Sequence, residues 1–101
     1  MKMVVEFDIS ADIIEVPQPV IDNREHLRTR FLKGLYDKNT KHKYWVEMKD
    51  STGKKLRGVC FRSNAFVEWL NKKVLSKTEE TAVVLAENIF EHPDDLPKIF
   101  F

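Results

Sequence analysis

Cysteine and glycine are scarce in this sequence of 101 residues, which contains one cysteine and three glycines. The single cysteine, Cys60, allows no internal disulfide, which is typical of a protein from a reducing compartment. The chain has no glycine-rich phosphate or dinucleotide loop, and the G-x-S-x-G pattern is also missing. One cysteine cannot build a thiolate metal site, and the three histidines are not spaced as ligand pairs. We therefore predict no catalytic residues, no metal, no cofactor and no enzymatic activity.

Long apolar runs are missing as well. No segment approaches the ~18 apolar residues that a membrane-spanning helix needs. The first residues, M-K-M-V-V-E-F-D, lack the apolar stretch and the cleavage site of a signal peptide. We therefore expect no membrane association and a cytoplasmic location. The length fits one α+β domain, 1–101, and its last residues, 91–101, are predicted to form an irregular acidic tail.

Charge is segregated along the chain, although the net charge is only +1. Residues 24–62 contain twelve Lys and Arg against four acids, a net +8. Residues 1–23 and 77–101 each carry a net −4. A basic centre between acidic ends indicates an anionic partner, although the basic and acidic parts could also meet in the folded protein.

Hydrophobic periodicity predicts alternating strands and helices. Segment 76–90 is ambiguous: T-A-V-V-L-A favours a closing strand, whereas Ala82, Leu85, Ala86 and Ile89 would also be in phase on a helix. With a strand there, the order is β-α-β-β-α-β, a ferredoxin-like sheet with two helices on one face. The alternative is a central hairpin with three helices. The other predicted elements are a first strand within M-V-V-E-F-D-I, a helix over 23–37, a hairpin of 43–49 with 55–61, and a helix over 64–74.

The register of the hairpin can be predicted from the sequence. A three-residue loop, Ser51-Thr52-Gly53, with Gly53 in the left-handed conformation, sets Met48 against Leu56 and Val46 against Gly58. Cys60 then belongs to this apolar face, where we expect a buried and inert thiol. A loop one residue shorter would mix apolar and charged side chains on both faces, so the sorted register is favoured.

Two short motifs overlap in this hairpin. R-G-V-C-F partly resembles the aromatic octapeptide of the RNA recognition motif, matching it at Arg57, Gly58 and Phe61. Val59 stands where that family has a stacking aromatic residue. G-V-C-F-R resembles the anion-binding loop of acylphosphatases, which implies an anion site at Arg62. In that family most of the fold follows the motif, whereas only 39 residues follow Arg62 here.

The second hairpin face combines cations with aromatic rings, the two features that single-stranded nucleic acid requires. We predict that the protein is a small non-enzymatic module that binds single-stranded nucleic acid there. The alternative is a protein-interaction module that regulates or inhibits a larger protein; a homodimer through an exposed edge strand is also compatible. Trp45 and Phe61 could instead form a second small core beneath a terminal segment. The predicted binding residues are Lys43, Trp45, Lys49, Lys55, Arg57 and Phe61, with Arg24 and Arg28 extending the cationic track.

Overall fold

The computed structural model describes residues 1–37, 39, 41–91 and 94–101. Within this part the chain is a mixed α+β structure with strands in two sheets. The strands are β1 (Lys2–Glu6), β2 (Ala11–Glu15), β3 (Trp45–Lys49), β4 (Lys55–Val59), β5 (Val83–Ile89) and β6 (Lys98–Phe100). The helices are α1 (Gln18–Asp22), α2 (Arg24–Leu35) and α3 (Ser63–Trp69), and α3 continues as a π-helical turn, Leu70–Val74.

The main sheet has the strand order β5-β2-β1-β6. β1 and β2 form an antiparallel hairpin in which Met3 lies opposite Ile14 and Val5 lies opposite Asp12. β5 pairs with β2 in the antiparallel direction, and β6 pairs with β1 in the parallel direction. The strand predicted within 76–90 is therefore confirmed.

The ferredoxin-like order is not confirmed, because the described part has six strands instead of four and the central hairpin is not in the main sheet. In the ferredoxin-like arrangement the hairpin would pair with the first strand. Here both edges of β1 are already occupied, by β2 and β6, so β3 and β4 pair only with each other.

A turn between β1 and β2 makes residues 11–15 a separate strand that pairs beside β1. The Phe7 N–H donates to the carbonyl oxygen of Ser10 at 2.8 Å, and Asp8 and Ile9 form the turn. The turn contains no glycine or proline, and such residues are the strongest sequence markers of a turn. Strand β6 lies inside the tail that was predicted to be irregular; His92 and Pro93 of that tail lie outside the described residues.

The core lies between the main sheet and helices α2 and α3. Its helical side is formed by residues four apart on α2, Leu27, Phe31 and Leu35, which bury one face of that helix. Phe31 is the centre of an aromatic cluster, with ring centres 5.3–5.7 Å from those of four neighbours. Those neighbours are Phe61, Phe66, Trp69 and Phe101.

None of the helices in the described ranges is both long and apolar enough to cross a bilayer. The histidines, cysteine and acids within the same ranges form no group of three that could hold a metal ion.

Candidate nucleic-acid interface

The hairpin of β3 and β4 has the predicted register. Val46 lies opposite Gly58, Glu47 opposite Arg57 and Met48 opposite Leu56. Gly53 has a φ of 82°, the left-handed conformation that the three-residue loop requires. Alternation of apolar and charged side chains, together with one glycine, was sufficient to predict this pairing.

Asp50 fixes the loop of this hairpin. Its Oδ1 atom accepts hydrogen bonds from the backbone N–H groups of Thr52 and Lys54, each at 2.9 Å, and from the Thr52 hydroxyl at 2.6 Å. The Thr52 hydroxyl bond and then the Lys54 N–H bond lower the pKa of Asp50 below its ordinary value, because they favour the charged carboxylate. The Asp50 side chain therefore holds the loop in this conformation.

The apolar hairpin face, defined as Val46, Met48, Leu56 and Gly58, is not buried. Met48 is 50% exposed and Leu56 is 45% exposed. The expectation that this face packs on the core is wrong, because the hairpin is not part of the main sheet. Cys60 is exposed for the same reason, and the predicted burial of its thiol is also wrong.

The cationic hairpin face, defined as Trp45, Glu47, Lys49, Lys55 and Arg57, is the opposite side of the ribbon. Lys49 and Lys55 lie directly opposite each other in the register, and both are exposed. Like charges in this position repel and destabilise the pair. An anion bound between the two ammonium groups would remove that repulsion.

Trp45 and Arg57 are stacked on this face. The guanidinium carbon of Arg57 lies 4.5 Å from the centre of the Trp45 ring, which is within the range of a cation–π contact. The His42 ring is also nearly parallel to the indole, with ring centres 5.3 Å apart and planes inclined by 5°. Trp45 is half-buried by these neighbours, so it can present only part of its surface to a base.

Lys43 lies at the base of the hairpin, away from Lys49 and Lys55. Its Nζ atom is 3.2 Å from Glu68 Oε2 on α3. The hydrogen bond that Lys43 donates to Glu68 raises the pKa of Lys43, and the hydrogen bonds that Glu68 accepts from Lys43, Lys72 and Tyr44 lower the pKa of Glu68. Because both groups keep their charges, this pair ties the hairpin to α3.

Phe61 does not lie on the outer face. Its ring is 5.5 Å from that of Phe31, 6.0 Å from that of Phe7 and 5.4 Å from that of Phe101. Phe61 therefore packs into the aromatic cluster of the main core, beside the C-terminal Phe101, and not into a separate small core with Trp45. We therefore do not include Phe61 in the candidate interface.

Arg24 and Arg28 contact β6 through their side chains. Arg24 Nε donates to the carbonyl oxygen of Lys98 at 3.3 Å, and Arg28 Nε donates to the carbonyl oxygen of Phe100. The Arg28 guanidinium also lies over the Phe101 ring, 5.7 Å from its centre. These two arginines hold the C-terminal strand and are not part of the cationic hairpin face.

A buried carboxylate that the sequence analysis did not single out lies beneath the start of α3. Asp12 is fully buried; it accepts hydrogen bonds from Arg62 at 2.6 Å, from the Ser63 hydroxyl at 2.5 Å and from the Asn88 N–H at 2.9 Å. Burial raises the pKa of Asp12, but the hydrogen bonds from Ser63, Asn88 and Arg62 outweigh it, so the pKa lies below its ordinary value.

The ion pair between Arg62 and Asp12 involves a residue of G-V-C-F-R, the pentapeptide that resembles the acylphosphatase loop. Arg62 is the residue that would hold an anion in such a loop. Here its guanidinium is paired with the buried carboxylate and lies 4.2 Å from the centre of the Phe7 ring. This arrangement gives Arg62 a structural role and does not support an anion site at that position.

Comparisons of the chain with protein-family models, with curated protein sequences and with solved structures give no match. We therefore infer the function from the geometry of the hairpin. That geometry brings together four of the predicted residues: Trp45, Lys49, Lys55 and Arg57.

Proposed function

We propose that the protein is a non-enzymatic, cytoplasmic module that binds single-stranded nucleic acid through the cationic hairpin face. The observation that carries the proposal is the exposed pair of Lys49 and Lys55, directly opposite each other on a ribbon that lies outside the main sheet. Two exposed cations on adjacent strands suit a phosphodiester backbone, and Arg57 and Trp45 continue the same face towards the base of the hairpin.

The face offers several cations but limited aromatic surface. Glu47, opposite Arg57, is the only acid on it. Since stacking requires a free ring face and Trp45 already contacts Arg57 and His42, contacts to phosphates should supply most of the affinity. We therefore expect modest affinity, little sequence preference and a strong dependence on salt.

The test is a titration of the full chain into a fluorescently labelled 12-nucleotide single strand, followed by anisotropy at 50 and 200 mM salt. With about three phosphate contacts, the affinity should fall about 20-fold between the two salt concentrations. The double variant Lys49→Glu/Lys55→Glu should bind at least about tenfold more weakly at 50 mM salt.

The matched control is Lys33→Glu/Lys77→Glu, which changes the net charge by the same amount at two exposed positions outside the hairpin. It should retain affinity within about threefold, since steering by overall charge is screened beyond about 10 Å at 0.1 M salt. Equal losses in the two double variants would show that net charge, and not the hairpin face, accounts for binding. No binding at 50 mM salt would contradict the proposal altogether.

A second candidate function is a protein-interaction module, which is favoured by the exposure of the apolar hairpin face. Val46, Met48 and Leu56 form an exposed apolar strip of the kind that protein partners cover. The substitution Met48→Glu separates the two functions: it should leave nucleic-acid affinity within about threefold, whereas it should abolish capture of a protein partner. Sedimentation equilibrium of the full chain tests whether it forms a homodimer, the possibility raised by an exposed edge strand.

A further inference from the structure

A groove with an apolar floor lies beside the hairpin base, on the side of the molecule formed by α2, α3 and the π-helical turn. It has a volume of about 250 Å³ and is open to solvent. Its lining residues come from three parts of the chain that the fold brings together. The floor is formed by Phe31, Leu35, Ala65 and Trp69, and His42 and Tyr44 form the wall on the hairpin side.

Gly34 lies at the groove on α2 and leaves space where other residues have a side chain. A Cβ atom placed on Gly34 would meet no atom within 4 Å. Gly34 is one residue from the end of α2, where the backbone is helical and does not require glycine. Glycine in a helix is less favourable than alanine, so neither helix stability nor close packing explains it.

The rim of the groove is cationic. Lys72 and Lys73 belong to the π-helical turn, in which the Leu75 N–H donates to the carbonyl oxygen of Leu70 at 2.8 Å. The extra residue that such a turn inserts changes the direction of the side chains beyond it, and single π-helical turns occur frequently at functional sites. Both lysines are exposed at the mouth of the groove.

The one carboxylate on the groove is already neutralised by its neighbours. Glu68 is 3.2 Å from Lys43, 3.4 Å from Lys72 and 3.2 Å from the Tyr44 hydroxyl, which donates to it. Lys43, Lys72 and Lys73 together therefore leave an excess of positive charge at the rim. An anionic group at the mouth would complement this excess.

We propose that this groove binds a small amphiphilic anion, with a flat apolar body against Phe31 and Trp69 and one carboxylate or sulfonate directed at Lys73. The volume of the groove suits an apolar body of about two fused rings. Such a ligand is smaller than those that typical drug-sized pockets bind. This site is independent of the cationic hairpin face, and the proposal does not rest on nucleic-acid binding.

The probe for the test is 8-anilinonaphthalene-1-sulfonate, which combines aromatic rings with one sulfonate. Bound in the groove, it should accept energy transfer from Trp69 and saturate at one equivalent. A Cβ atom at Gly34 meets no atom within 4 Å, so Gly34→Leu places its side chain in this open space, and the affinity should fall at least about tenfold. Gly34→Ala is the matched control and should lose less than about threefold. Thermal unfolding of both variants establishes that each is folded.

The charge requirement is tested separately. Lys73→Glu should weaken probe binding at least about threefold, whereas Lys33→Glu on the exposed side of α2 should leave it unchanged. 2-Naphthoate should displace the probe at least about tenfold better than the neutral 2-naphthalenemethanol. Unaltered binding in Gly34→Leu, or equal displacement by the acid and the alcohol, would overturn the proposal.

Discussion

At the scale of single residues, Asp12 is the position where burial and charge are most strongly combined. The backbone of β2 directs it to the same side as Ile14, onto the core face of the main sheet. A buried carboxylate is tolerated only when its charge is compensated. Here Arg62 and the hydroxyl and N–H groups around it provide that compensation, and Asp12 thereby connects β2 to the start of α3.

The substitution Asp12→Asn should lower the free energy of unfolding at pH 7 by about 3 kcal/mol, because it removes one partner of a buried ion pair. Arg62 is 38% exposed, so we expect the lower end of the range for such pairs. Urea unfolding measures the change. The control is Asp8→Asn in the exposed turn before β2, which should change stability by less than about 0.5 kcal/mol.

The same carboxylate should make stability depend on pH. Because folding lowers the pKa of Asp12, the stabilisation is fully present above the ordinary pKa of about 3.9 and is lost as the pH falls through the folded-state pKa. Between pH 5 and pH 2, wild-type stability should therefore fall more steeply than that of Asp12→Asn. Parallel curves for the two proteins would show that Asp12 does not contribute this dependence.

At the scale of secondary-structure elements, β6 is a three-residue edge strand that the side chains of α2 protect. The backbone groups on one side of this strand and its flanking residues pair with β1. The Val4 N–H donates to the carbonyl oxygen of Pro97 at 2.8 Å, and the Phe101 N–H donates to the carbonyl oxygen of Glu6 at 2.9 Å. The carbonyl oxygens of Lys98 and Phe100 accept instead from Arg24 and Arg28. An edge covered in this way cannot accept another strand through those groups.

The double variant Arg24→Ala/Arg28→Ala should increase local opening of the pairing between β6 and β1. At these exposed positions each hydrogen bond contributes about 0.5–1.5 kcal/mol, so amide exchange at Val4 and Phe101 should accelerate about tenfold. Hydrogen exchange followed by NMR provides the measurement. Arg30→Ala serves as the control, because Arg30 lies over Trp69, 5.5 Å from its ring centre, and does not contact β6. Unchanged exchange in the double variant would show that the pairing with β1 alone holds the strand.

The ribbon of β3 and β4 should be dispensable for folding. Replacing residues 47–57 by Asn-Gly joins Val46 to Gly58, which are already opposite each other, through a two-residue turn. The exposed residues that are removed contribute nothing to the buried core, so the free energy of unfolding should change by less than about 1 kcal/mol. That corresponds to less than about 8 °C in Tm, measurable by circular dichroism. If the shortened chain fails to fold, the ribbon is needed for folding and this prediction is wrong.

At the scale of the whole molecule, the local parts of the fold were predictable and the long-range parts were not. The β3–β4 register follows from alternation and from Gly53, and α2 (Arg24–Leu35) follows from helical periodicity within the predicted range 23–37. The place of β6 beside β1 depends on contacts between residues more than 90 positions apart, which periodicity does not describe. Since β6 occupies that edge of β1, the separation of the hairpin from the main sheet could not be predicted either.

The candidate site was also predictable only in its local part, the hairpin face. Alternation placed Trp45, Lys49, Lys55 and Arg57 on one face, and the structure keeps them there. Phe61 was separated from them because the chain leaves the ribbon after Val59 and enters the aromatic cluster. The groove residues come from three distant segments, so no local pattern in the sequence predicted the groove.

The central claim is that the β3–β4 ribbon carries nucleic-acid binding, and an NMR titration tests it most directly. The full ¹⁵N-labelled chain is titrated with an unlabelled 12-nucleotide single strand at 50 mM salt. We predict that the amide signals of β3 and β4 and the Trp45 indole signal shift together and saturate, while those of α2 and β6 stay in place. Shifts confined to α2 and β6, or no shifts at all, would contradict the claim.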